Sequence, residues 1–218
     1  MNKNHFKGLP IQGNVNDYNV RYLDRMLGTI NRACDDDKRV YAVRVDLKIP
    51  QASQELDCLS RDEPVNHCRF RDRLISRFVE SLKAKIQAMD QRYRRNNRRV
   101  YPTSVRYIWC RERDSSINDH YHVVLLFNKD RFHRLGDWNS RVSLSGMIIA
   151  SWASALGIEY HGATGLVHFS ENGGYYLHQD KYEFNEQYSE LFHRVSYLAK
   201  KETKHYGEGN RNFGCSQR

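Results

Sequence analysis

No stretch of this chain approaches the ~18 consecutive apolar residues that a membrane-spanning helix needs. The N-terminal Met-Asn-Lys-Asn-His-Phe-Lys-Gly lacks the apolar core of a secretory signal. Both absences lead us to expect a cytoplasmic protein with no membrane contact. Cysteine is scarce and unpatterned. The five cysteines, at 34, 58, 68, 110 and 215, are odd in number and include no C-x-x-C pair. That argues against structural zinc and reads as ordinary thiols of a reducing compartment. Acidic residues are also in deficit, 26 against 35 Lys and Arg, leaving a net charge of +9. Such an excess favours a polyanionic partner, most simply nucleic acid. Internal repeats and low-complexity linkers are missing, so 218 residues suit one domain with a full core. The expected limits are an N-terminal arm over 1–15, containing Gly8, Pro10 and Gly13, one domain over 16–206, and a flexible basic tail over 207–218.

Aromatic residues, by contrast, are plentiful, with 14 Tyr, 9 Phe and 3 Trp. With the basic charge they suit single-stranded nucleic acid, whose bases stack on rings. The apolar pattern predicts a helix over 16–34, capped by Asn16 or Asp17, and a strand over Val40–Leu47 that Pro50 stops. A polar loop follows over 51–65. Phe70, Leu74, Phe78, Leu82 and Ile86 then recur about every fourth residue, the buried stripe of a helix over 69–95. Its end carries Arg92, Arg94 and Arg95, with Arg98 and Arg99 just beyond. These read either as favourable charge at a helix C-terminus or as a phosphate-contacting patch. A hairpin is expected next, with strands 103–112 and 120–128 around a turn-rich loop 113–119. A helix near 142–156, a strand near 165–170, a Gly-Gly turn and a last helix over 186–202 complete the order. The mixture predicts an α+β fold with a mostly antiparallel sheet and helices on one face.

The feature richest in chemistry is His120-Tyr121-His122 at the head of Val-Val-Leu-Leu-Phe. Side chains alternate along a strand, so His120 and His122 share one face while Tyr121 enters the core. If the hairpin closes on its predicted loop, Glu112 lies opposite His120 on that same face. A slip of one residue would turn Glu112 away. Two imidazoles and one carboxylate suit Mg²⁺ or Mn²⁺, with positions open for substrate oxygens. A metal on a basic protein suggests phosphoryl chemistry, which calls for a nucleophile. In the last helix Tyr188, Leu191, Val195 and Leu198 form the apolar stripe, and Tyr197 lies off it. An isolated tyrosine there is usually a core-edge aromatic. One beside Lys200 and Lys201 is better placed to react, since nearby cations favour the phenolate.

Weaker candidates accompany these. His161, His168 and His178 are alternative third ligands, and Asp46 is a support for the histidines. Tyr175 and Tyr176 are rival nucleophiles, and Arg111 and Arg113 are phosphate contacts. Each also has a plain reading as a surface or strand residue.

Three blocks carry a resemblance: Gly8-Leu-Pro-Ile-Gln-Gly13-Asn, Arg44-Val-Asp46-Leu-Lys-Ile-Pro50 and Ser196-Tyr-Leu-Ala-Lys200. With Glu112, His120 and His122 ahead of Tyr197 and Lys201, the chain resembles the HUH endonucleases, the rolling-circle replication initiators. Within them it is most similar to the prophage YagK/YfjJ C-terminal domain family, akin to inovirus gene II proteins. The resemblance covers roughly residues 8–205. It implies a ferredoxin-like or RRM-like sheet, metal ligands at Glu112, His120 and His122, a nucleophile at Tyr197 and a supporting lysine at Lys201. The implied activity is nicking and rejoining of single-stranded DNA or an origin hairpin through a 5′-phosphotyrosine. With no helicase domain of its own, a replication role would use a host helicase and polymerase. Position 193 is His, so the resemblance is to single-tyrosine members. The alternatives are a prophage-encoded DNA-binding regulator with an inactive site, and an RNA-binding sheet domain.

Overall fold

The computed structural model describes residues 3–50, 73–112, 120–202, 204 and 211–217. A short hairpin, β1 (His5–Phe6) with β2 (Leu9–Pro10), opens the chain. Then come α1 (Val20–Asp36), β3 (Arg39–Lys48), α2 (Leu74–Arg95), β4 (Arg106–Glu112) and β5 (His120–Asn128). After them follow α3 (Leu144–Leu156), α4 (Tyr160–Thr164), β6 (Val167–His178), α5 (Phe184–Ser196) and β7 (Phe213–Cys215). Five strands form one antiparallel sheet in the order β6-β3-β5-β4-β7. The run β3-α2-β4-β5-α3-β6 is a split βαβ arrangement of the ferredoxin-like kind. The α+β class and antiparallel sheet therefore stand as expected.

Helices, however, cover both faces of the sheet. On one face Phe78, Leu82 and Ile86 of α2 and Ile148 and Trp152 of α3 pack on Val43, Val45, Val123 and Leu125. On the other, Leu23, Met26 and Ile30 of α1 and Leu191 and Val195 of α5 pack on Val40, Ala42, Val124 and Leu126. The one-face expectation is corrected, because the strands carry apolar residues on both sides, each such buried side chain contributing ~1.5–3 kcal/mol. The second face is apolar only along half its length. Beyond Ala42, Val124 and Cys110 the outward rows turn polar: Arg44 and Asp46, His122 and His120, Glu112. Helices α1 and α5 cover the apolar half, and the polar half lines an open cleft.

Several limits move. Asn19, not Asn16 or Asp17, caps α1, its side chain accepting from the N–H groups of Arg21 and Tyr22. The expected loop 51–65, the start of α2 at 69–72 and the hairpin loop 113–119 lie outside the described residues. Gly173 and Gly174 do not turn the chain but sit inside β6, where the pairing with β3 shifts between Val43 and Val45. Asn172 takes a positive φ of 55° at this irregularity, and glycine follows because a Cβ at 173 would meet Ser170 O at 2.8 Å. Within the expected tail of 207–218, of which 211–217 are described, a strand forms. Residues Phe213–Cys215 pair with Ile108–Cys110 as an edge strand, burying Phe213 and Cys215. Glycine and arginine had masked two apolar residues with the alternation of a strand. In the arm, Phe6 and Ile11 are buried against the α1/α5 side.

Candidate metal centre

The strand register decides this site. Glu112 is the direct cross-strand partner of His120, and His122 is flanked by Cys110 on β4 and Asp46 on β3. One donor atom each of Glu112, His120 and His122 lies within 4.8 Å of the others, the sole such group of three among the described residues. The two imidazole rings stand nearly perpendicular, 4.9 Å between centroids.

Each ligand is held by a neighbour. His122 Nδ1 lies 2.5 Å from Asp46 Oδ1, and its Nε2 lies 3.1 Å from Glu112 Oε2. Asp46 in turn accepts from Arg44 Nε at 3.1 Å. Lys204 donates to Glu112 Oε1 at 2.7 Å, and both side chains are buried. Asp46 thus fixes the ring so that Nε2 faces the cluster, and Lys204 occupies one carboxylate oxygen, leaving the other facing His122. A ligating histidine backed by a carboxylate is the usual arrangement around protein-bound metals. The residues present fit a divalent ion.

Burial opposes the charge on His122, but the Asp46 and Glu112 carboxylates outweigh burial and hold its pKa above the ordinary 6.5. With both ring nitrogens facing carboxylates, and despite Arg44 Nη2 at 2.9 Å from Nδ1, the metal-free ring holds its proton more tightly than an ordinary imidazole. Burial also works against the Asp46 carboxylate, and His122 with Arg44 overcomes it, placing its pKa below the usual 3.8. The stabilisation from His122 is full below pH 6.5 and lost as pH rises through its raised folded value. That from Asp46 is full above pH 3.8 and lost as pH falls through its lowered value. The pair therefore contributes most between these limits. Urea unfolding in chelator, from about pH 5 to pH 8, should show stability falling on the alkaline side, and His122→Gln should flatten that fall. An unchanged slope in His122→Gln would rule out the pairing. Metal affinity should move the opposite way, rising with pH as the Nε2 proton leaves.

Tyr197 stands at the end of α5, opening a 3-10 turn over Tyr197–Ala199 rather than lying within a helix reaching 202. Leu191, Val195 and Leu198 are buried as the stripe requires, and Tyr197 turns off it into the cleft of about 470 Å³ that Glu112, His120 and His122 also line. Lys200 Nζ sits 5.1 Å from the Tyr197 ring centroid. Lys201 goes elsewhere: its Nζ donates to Asn16 O at 2.9 Å on the surface.

The other candidates separate. Tyr175 lines the cleft, its Oη accepting from Arg194 Nε at 3.2 Å. Tyr176 points to the opposite face, stacked on Tyr41 with its hydroxyl donating to His133 O. His168 is the exposed cross-strand neighbour of Asp46 but stands outside the ligand group. His161 is exposed on α4, and His178 pairs with Arg39 at the far end of the sheet. Arg111 is buried and bonded to Asn212 Oδ1, which removes it as a phosphate contact. Arg113 lies outside the described residues. Lys204 and the cleft residues Gln12, Arg44 and Arg194 were not anticipated. No spacing rule connects Lys204 to Glu112, 92 residues away.

Fold and cluster together define a class: an α+β protein whose antiparallel sheet presents two histidines and a glutamate to an open cleft beside a tyrosine. The family model described as YagK/YfjJ C-terminal domain matches residues 1–216, and the chain belongs to that family. It is 43% identical over 182 residues to "Uncharacterized protein YagK" of Escherichia coli (strain K12), covering 82% of this chain and 84% of that protein. It is 36% identical over 201 residues to "Uncharacterized protein YfjJ" of the same strain, covering 90% and 93% respectively. No solved structure matches the chain. No helix among the described residues is long and apolar enough to cross a membrane.

Proposed function

We propose that the protein is a metal-dependent DNA transesterase of the HUH type, which nicks and rejoins a single strand at a prophage-type origin. The observation that carries this reading is the shared cleft, in which Tyr197 and the Glu112, His120, His122 group line one opening. The mixed donor set favours Mn²⁺ over Mg²⁺, because imidazole is a poor ligand for magnesium. When bound, the ion polarises the scissile phosphate.

The remaining roles belong to the chain. His120, His122 and Glu112 hold the ion, Asp46 orients His122, and Lys204 orients Glu112. Arg194 and Arg44, both lining the cleft, draw in the backbone of the strand. The Tyr197 oxygen, after passing its proton to solvent at the open cleft, attacks phosphorus in line. The Tyr O–P bond forms as the bond to the 3′ oxygen breaks. That oxygen takes up a proton and leaves as a free 3′-OH, with the 5′ phosphate on Tyr197. Rejoining is the reverse, so the bond energy is conserved. Lys200, its Nζ 5.1 Å from the Tyr197 ring centroid, places positive charge beside the nucleophile; Lys201, turned to Asn16, has a structural role instead.

The test is capture. Labelled single-stranded oligonucleotides covering the DNA on either side of the gene are incubated with the protein and Mn²⁺, with and without EDTA. A metal-dependent adduct that survives SDS supports the reading. Tight, salt-sensitive binding without an adduct assigns the chain to the regulator reading instead.

A further inference from the structure

On the sheet face opposite the cleft, α2 and the segment entering α3 enclose a groove of about 500 Å³. Its floor is apolar, from Ala88, Met89, Met147 and Ala150, and its rim carries Lys85, Arg92, Arg98 and Arg141. Among the described residues no carboxylate lines it. Asp90, the acid on this stretch of α2, is bound by Arg131 at 2.6 Å.

Charge at a helix C-terminus accounts for Arg92, which lies in the last turn of α2. The same can be said of Arg98, two residues past the cap, but not of Lys85 or Arg141, since the helix field fades within a turn. Lys85 sits nearly three turns before the end of α2, and Arg141 comes from a different segment. Cations converging from two segments with no acid among them repel one another, and a polyanion relieves this. Two are also pre-ordered: Arg98 lies 4.2 Å over the Tyr93 ring and Arg141 lies 4.5 Å over the Tyr160 ring.

We propose that this groove binds the phosphate backbone of duplex DNA, as a second nucleic-acid surface on the opposite face from the cleft. Three features favour a duplex over a single strand. Lys85 and Arg92 are carried on one rigid helix about 10 Å apart along its axis, which suits a stiff ladder of charge at about one per 1.7 Å of duplex. The groove's tyrosine is engaged by Arg98 and Arg131 rather than open for base stacking. Guanidinium groups held on ring faces present fixed donors to phosphate oxygens. The surface makes no use of the metal or of Tyr197, so it stands or falls apart from the proposed chemistry.

The experiment measures binding of the full chain to a fluorescent mixed-sequence duplex of about two helical turns. Anisotropy is followed from about 50 to 200 mM salt in EDTA. The variant Arg92→Gln/Arg98→Gln/Arg141→Gln is compared with Lys7→Gln/Lys38→Gln/Lys181→Gln, which removes three exposed charges elsewhere. The groove variant should bind about tenfold or more weakly, with the slope of log K on log salt shallower by roughly 2 to 3. The control variant should stay within about twofold, and circular dichroism should match for all three proteins. Equal losses in the two variants would reduce the effect to net charge and overturn the groove. Unchanged affinity and slope in the groove variant would overturn it as well. Capture of a single strand by the groove variant in Mn²⁺ reports on the cleft alone, so failure of either proposal is seen separately.

Discussion

Tyr197→Phe is expected to form no SDS-resistant adduct with any oligonucleotide that the wild-type chain captures, while binding that DNA within about twofold. The expectation follows from what the substitution leaves in place. Phenylalanine keeps the ring that packs under Lys200 and loses only the oxygen that would join phosphorus. Tyr197 is partly exposed at the cleft, so the substitution removes one oxygen at a site solvent already reaches. A loss of nucleophilic chemistry alone would suppress the covalent step by several orders of magnitude without unfolding the chain. Tyr175 is the rival in the same cleft, and Tyr175→Phe should retain capture. Persistence of the adduct in Tyr197→Phe with loss in Tyr175→Phe would transfer the role to Tyr175. Tyr18 is not a further rival: burial pushes its phenol up to about 12, and its hydroxyl donates to Gln12 O.

Lys204→Met should be the most destabilising single change near the site, by about 3–5 kcal/mol in chelator. Lys204 and Glu112 form an ion pair with side chains 0% and 5% exposed, so neither charge retains much water. Removing the ammonium takes from a buried carboxylate its nearest cation, at 2.7 Å. The double variant Glu112→Gln/Lys204→Met removes the stranded charge and should recover much of the loss. Urea unfolding of wild type, Lys204→Met, Glu112→Gln and the double variant gives the coupling directly. A Lys204→Met variant within about 1 kcal/mol of wild type would mean that water or another group already serves Glu112. Metal titration by calorimetry adds a second readout. Lys204→Met should weaken Mn²⁺ binding even under conditions where it remains folded, because Glu112 is no longer held with Oε2 toward His122.

Most of the sheet was readable from the chain because strands announce themselves locally. Alternation placed His120 and His122 on one side of β5, and the apolar run after them fixed its buried character. The length of the loop between Glu112 and His120 set the register that made them partners. The stripe Leu191, Val195 and Leu198 likewise set Tyr197 apart from the buried side. The errors have the same origin. Gly173 and Gly174 look like a turn because glycine is permissive, yet inside β6 they serve an irregular pairing. Phe213-Gly-Cys215 is too short to show a period, and it becomes a strand only because the edge of β4 is there to pair with.

The sequence by itself determined the α+β class, the antiparallel hairpin, the shared face of Glu112, His120 and His122, and the separation of Tyr197 from the apolar stripe. All of these follow from periods of two and 3.6, which act over a few residues. Tertiary structure alone decided that Lys204 reaches Glu112 and that Asp46 rather than solvent holds His122. It also decided that Lys201 turns away to Asn16 and that both sheet faces carry helices. These contacts join residues tens to nearly two hundred positions apart. Their energy comes from burying charge and apolar surface in one place, which no local spacing records.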